Sequence, residues 1–131
     1  MVDPEAQYHA HVYFDEHTLA ASQPLQEQFQ HLLASGSLPG LVLVGKLFER
    51  PAGPHPKPQF ELHFLASALP QIVPLLKASG LTCLVHPLTA DDLADHTTLA
   101  EWIGEPLPLD ETVLDPPGHN QGLDRFGKTH F

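Results

Sequence analysis

The octapeptide YHAHVYFD, residues 8–15, carries two histidines separated by a single alanine. Read as a strand over 8–14, it points alternate side chains to opposite faces. His9 and His11 then share one face, and Tyr8, Ala10, Val12 and Phe14 share the other. Two imidazoles at this spacing can bring both ring nitrogens to one cation at about 2.1 Å. A third His or a carboxylate from an adjacent strand completes a facial set and leaves positions open for substrate. Such a set suits non-haem Fe(II), although zinc or another divalent metal can occupy the same ligands.

Two further segments offer those groups. QFELHFL (59–65) alternates Phe60, Leu62 and Phe64 with Glu61 and His63. LTCLVHPL (81–88) alternates Leu81, Cys83 and Val85 with Thr82, Leu84 and His86. Side by side, the three strands present an apolar face and a face bearing His9, His11, Glu61, His63 and His86. A lone histidine on a half-covered sheet is most simply a solvated side chain. Five such groups on one face of three strands point instead to a metal. From this face we assign His9, His11 and His86 as metal ligands, with Glu61 as the candidate carboxylate ligand. The assignment depends on register, because a slip of one residue sends a strand's contribution to the core.

Two loop histidines can close over this face. His55 is held between Pro54 and Pro56, whose rings restrict the backbone. His96 follows Asp95, for which a helix-capping role is the plainer reading. Both are candidates for acid–base work near neutral pH. His17, His31, His119 and His130 are expected to face solvent. Lys46 and Arg50 could receive a substrate carboxylate, although an ordinary surface role is the simpler expectation.

The elements that must position these groups follow from periodicity. A first helix is marked by Leu25, Phe29, Leu32 and Leu33 and stopped by Gly36; Thr18 or Ser22 could cap it, and Pro24 favours the later start. LVLVGKLFER (41–50) reads as strand two and the proline-rich stretch 51–58 as a stiff loop. A second helix covers 67–79, with Leu69, Ile72, Val73 and Leu76 on one side, a kink expected at Pro74 and a stop at Gly80. With strand four at 81–88, the order β-α-β-β-α-β predicts an α+β, ferredoxin-like antiparallel sheet with both helices on one face. Strand one then lies between strands three and four. Residues 89–104 read as a short extra helix, its Trp102 packing against the sheet edge. The tail, DPPGHNQGLDRFGKTHF (115–131), has little periodicity and reads as wrapping over the surface or a partner chain.

Composition narrows the classes. The 131 residues, 42% hydrophobic and 17% charged, fit one globular domain over 1–131 with its core at about 8–104. A formal net charge of −10 argues against nucleic acid or an anionic membrane as partner. A single cysteine, Cys83, excludes an internal disulfide or a cysteine-built zinc cluster. No basic-then-apolar leader or membrane-length apolar run is present, so the expected compartment is the cytoplasm.

The segments YHAHVYFD, GPHPKPQFEL, LVHPLTADDLADHT and AEWIG, in that order over about residues 8–104, resemble the DOPA 4,5-dioxygenase family of aromatic ring-cleaving enzymes. The resemblance implies a ferredoxin-like fold and a non-haem iron centre. It also implies extradiol cleavage of a catechol such as DOPA, with O₂ as cosubstrate. The alternative is a non-enzymatic metal- or small-molecule-binding module that pairs through its open face as a homodimer, with zinc held between subunits. In a plainer version that face is only a dimer interface, its histidines making hydrogen bonds.

Overall fold

The computed structural model describes residues 3–51 and 53–128. Its centre is a five-stranded antiparallel sheet in the order β2-β3-β1-β4-β5. The strands are β1 (Gln7–Tyr13), β2 (Leu41–Val44), β3 (Gln59–Leu65), β4 (Cys83–Pro87) and β5 (Glu101–Ile103). The helices are α1 (Leu19–Ser35), α2 (Leu69–Ala78), α3 (Asp92–His96) and α4 (Gln121–Asp124). This is a ferredoxin-like α+β fold with one strand added beside β4.

The expected register holds. His9 pairs with His63 of β3 and with His86 of β4, and His11 pairs with Glu61 and Leu84. Ala10, Val12, Phe60, Leu62, Phe64, Cys83 and Val85 accordingly fall on the other face. There they form the core with Leu25 and Phe29 of α1 and Ile72 and Leu76 of α2. Cys83 is buried, and that burial pushes its thiol up to about 12, so it acts as an apolar filler.

Several boundaries differ from the sequence expectation. Helix α1 begins at Leu19, behind Thr18, and not at Pro24. The Asp15 carboxylate accepts the backbone N–H groups of His17 and Thr18 and turns the chain into the helix. Pro24 is tolerated inside because the carbonyl that loses its donor belongs to Ala20, an exposed residue. Likewise α2 continues through Pro74 to Ala78. Gly36 ends α1 in the left-handed region (φ 70°), and the Ser37 N–H reaches back to Leu32 O.

Strand β2 stops at Val44, well short of residue 50. At Gly45 the two backbones come so close that a Cβ would lie 3.2 Å from the Glu61 carbonyl oxygen, and the pairing resumes only as a bridge between Phe48 and Gln59. The single helix expected over 89–104 is instead α3 followed by β5. Asp91 caps α3, accepting from the Ala94 N–H, and the edge of β4 captures residues 101–103 as a strand. Trp102 therefore sits within the sheet's edge strand, opposite Leu84 and stacked on Tyr13 at 6.0 Å.

Candidate metal centre

The sheet's second face is not solvated. His9, His11, Glu61, His63 and His86 are all buried, and so are His55 and His96 from the flanking loops. Of the histidines expected in solvent, His17, His31 and His119 are exposed, and His130 lies outside the described residues. Lys46 and Arg50 are exposed and line no part of the cavity described below; Arg50 lies over the Phe48 ring.

The hydrogen bonds around the rings fix where their lone pairs point. His86 Nδ1 donates to the Pro87 carbonyl at 2.8 Å, so a neutral His86 carries its lone pair on Nε2. His11 Nδ1 donates to Gln59 Oε1 at 2.8 Å, which leaves its Nε2 unprotonated as well. These two Nε2 atoms lie 3.0 Å apart. His9 Nε2 is buried without a hydrogen-bond partner. Donor atoms of His9, His11 and His86 all fall within 4.8 Å of one another.

Two lone pairs aimed at each other and a third buried nitrogen without a partner are costly unless a cation lies between them. A separation of about 3.0 Å is also that of adjacent ligands each about 2.1 Å from one metal ion. The donor set therefore fits a divalent metal. Burial, reinforced by the neighbouring imidazoles, holds all three rings well below the ordinary histidine value. They stay neutral, the state in which imidazole ligates.

A second group shares His11: donor atoms of His11, His55 and His96 also lie within 4.8 Å of one another. His96 Nδ1 donates to the Asp92 carbonyl at 2.8 Å and lies 3.3 Å from the Asp92 carboxylate. Burial works to lower His96, but the hydrogen bonds it donates to Asp92, with the nearby carboxylates of Asp92 and Asp95, outweigh it and raise the ring above its usual value. His55 shares a 2.6 Å hydrogen bond with the Tyr13 hydroxyl and is driven down to about 3, first by burial and then by the neighbouring imidazoles of His96 and His86, which disfavour a further proton.

The third His/Glu group is closed by hydrogen bonds. His63 Nδ1 accepts the Gly127 N–H at 2.8 Å, so its proton sits on Nε2, which donates to Glu61 Oε1 at 3.0 Å. Both nitrogens of His63 are thus used, and the ring holds Glu61 in place. The second Glu61 oxygen lies 3.8 Å from His11 Nδ1.

Tyr13, Gln59 and Trp102 belong to this face and were missed in the sequence. The signal was available for two of them: Tyr13 is two residues beyond His11, and Gln59 two before Glu61, so alternation alone puts them there. The tail supplies what alternation could not. Phe126 stacks on His63 at 5.7 Å and on His9 at 6.3 Å. Asn120 donates to Thr89 O and to the Asp95 carboxylate. Of the two courses expected for the tail, its described part takes the first and wraps this chain's own surface. Between tail and sheet lies a cavity of about 230 Å³, with His9, His11, His55, Glu61, His86 and His96 in its lining.

Among the described residues, no helix is long and apolar enough to cross a membrane. A model of the Dopa 4,5-dioxygenase family matches residues 8–113. The chain is 30% identical over 108 residues to the DOPA 4,5-dioxygenase of Amanita muscaria, covering 79% of this chain and 47% of that protein. It is 37% identical over 79 residues to an uncharacterized 21.2 kDa protein of Botryotinia fuckeliana, covering 53% and 43%. It thus spans somewhat less than half the length of the curated relatives it matches. A crystal structure of a Nostoc punctiforme protein described as a "putative dioxygenase" shares 32% identity and superposes with a TM-score of 0.67, covering 86% of this chain and 96% of that one. The family model covers most of the chain, and this chain belongs to the Dopa 4,5-dioxygenase family.

Proposed function

We propose that the chain is a non-haem Fe(II)-dependent extradiol dioxygenase that opens the ring of a catechol such as DOPA. The observation that carries this reading is the convergence of the unprotonated Nε2 atoms of His11 and His86 with a ring nitrogen of His9, whose Nε2 is buried without a partner, in the lining of a cavity. The name of the Amanita muscaria relative supports the choice of a DOPA-like substrate. His9, His11 and His86 would hold the metal, with Glu61 as the nearby carboxylate. Iron bound there supplies a centre at which catechol and O₂ meet and exchange electrons.

The chain's own residues orient the substrate and handle its protons. Imidazoles that stay neutral after burial leave the metal position free of competing protons. Gln59 and the Pro87 carbonyl hold the His11 and His86 rings in the ligating tautomer, a supporting role common around metal sites. His96, raised by Asp92, is suited to hold a proton near neutral pH and release it to a leaving oxygen. His55, held neutral and bonded to the Tyr13 hydroxyl, offers a hydrogen-bonding group to a catechol oxygen. The tail and the Pro-flanked loop carrying His55 narrow the approach of water to the cavity.

Anaerobic loading with Fe(II), followed by a catechol and air, tests the proposal. A yellow ring-opened product with matching O₂ uptake is expected, and His11→Ala should abolish both. A folded wild-type protein that takes up Fe(II) but consumes no O₂ with any catechol would overturn it.

A further inference from the structure

The chain has 6 basic residues against 16 acidic ones. Of those six, Arg125 alone lines the cavity among the described residues. It follows α4, in the tail, beyond the 8–113 segment that the family model matches. Its Nη2 donates to Gln121 Oε1 at 2.7 Å, one turn back, which steadies the guanidinium at the cavity wall. Among the described residues it makes no ion pair.

The acids of the same wall are already engaged. One oxygen of Asp92 faces His96 Nδ1, and the other accepts the Asp115 N–H at 2.8 Å. Asp115 accepts the backbone N–H of Gln121 at 2.7 Å and its side-chain amide at 3.1 Å. Glu61 accepts from His63. The cavity lining thus holds three carboxylates, each already accepting hydrogen bonds, and Arg125 is its one Lys or Arg side chain, with N–H donors to spare.

We propose that Arg125 determines substrate specificity by receiving an anionic side arm, a carboxylate, on the catechol. The proposal rests on the reading of the cavity as a catechol site. A guanidinium offers a planar fork of N–H donors that matches the two oxygens of a carboxylate. With the ring directed at the histidines of the sheet, the side arm extends toward the tail, where Arg125 waits. An ammonium-bearing side arm that reaches the tail meets the like charge of Arg125, while the carboxylates of the wall are already turned to His96, His63 and backbone N–H groups. Selectivity thus falls in the order carboxylate, neutral, amine.

Anaerobic calorimetric titration of the full chain with 3,4-dihydroxyphenylpropionate, 4-methylcatechol and dopamine tests this without turnover. Wild type should bind the propionate about tenfold more tightly than the neutral catechol, as a charge-assisted pair implies. Arg125→Gln should bring that ratio close to one, Arg125→Lys should restore part of it, and Arg125→Glu should shift the preference toward dopamine. A wild-type ratio near one, or a ratio that survives both Arg125→Gln and Arg125→Glu, would overturn the assignment. Ring opening with no such preference contradicts this inference alone; the preference without Fe(II)-dependent ring opening contradicts only the proposed reaction.

Discussion

His11 Nε2 and His86 Nε2 face each other across 3.0 Å, and neither has a proton to give the other. Each ring spends its proton elsewhere, His11 on Gln59 and His86 on the Pro87 carbonyl. The sheet register makes the meeting possible: both residues flank His9, one two positions along β1 and the other directly across on β4. Burial then removes the water that would otherwise separate the lone pairs.

The Gln59 contact gives a first prediction. Gln59→Leu removes the acceptor that holds the His11 tautomer, and it also removes a buried amide N–H that has no partner. Metal affinity should fall by about 10- to 100-fold, as is usual when such a supporting group is lost. Thermal stability of the metal-free protein should change little. Calorimetric metal titration and a melting curve separate the two effects.

Acid should destabilise the metal-free protein early. His9, His11 and His86 are held well below the ordinary value, and His55 is held at about 3. In the unfolded chain these rings titrate near about 6.5. Above that pH neither state is protonated. As pH falls through it, the unfolded chain takes up protons that the folded chain refuses, so folding loses free energy with each step down. His96, raised in the fold, works the other way: its stabilisation is present below the unfolded value and lost as pH rises through the folded one. Four depressed rings outweigh one raised ring. Denaturant midpoints measured between pH 7 and 5 should decline steadily, and His55→Asn should flatten the decline. A pH-independent midpoint would contradict the burial argument.

Binding to the native state alone stabilises it, so the metal should raise the melting temperature. At free metal about 100 times its dissociation constant, the gain is about 2.7 kcal/mol. A chelator should reverse the shift, and His86→Ala should remove it. Differential scanning calorimetry with and without chelator provides the check.

Phe126 covers the stacked pair of His9 and His63. Phe126→Ala should leave the main core intact, because that cluster lies between the helices and the opposite face of the sheet. It should raise the rate at which diethyl pyrocarbonate modifies His9 and His63, read by peptide mass spectrometry. An unchanged rate would mean that the tail does not shield these rings.

Most of the fold and half of the site were legible in the sequence. The alternation of His9/His11 and Glu61/His63 against a purely apolar set fixes the two faces of the sheet, since a strand has period two. Gly36 marked the end of α1 because only a residue at ease in the left-handed region closes a helix that way. Strand β5 escaped because three residues carry no period; it exists through pairing with β4. The tail escaped for a related reason. Its attachment runs through a backbone N–H of Gly127, an Asn120 amide and one aromatic ring, none of which leaves a repeating pattern. The tautomers of His11, His63 and His86 are likewise set by distant partners. Ligands could therefore be proposed from the strands, while the ring that closes onto Glu61 could be told apart only in three dimensions.

The ligand set is the claim on which the rest depends. Anaerobic Fe(II) titration of wild type and of His9→Ala, His11→Ala, His86→Ala, His55→Ala and His96→Ala, combined with X-ray absorption of the loaded protein, tests it most directly. The predicted result is one metal per chain with imidazole ligation, strong loss of affinity in the first three variants, and retained binding in the last two. Retained binding without His9 and His86, with loss on removing His55 and His96, would move the metal to the other histidine group and contradict the account.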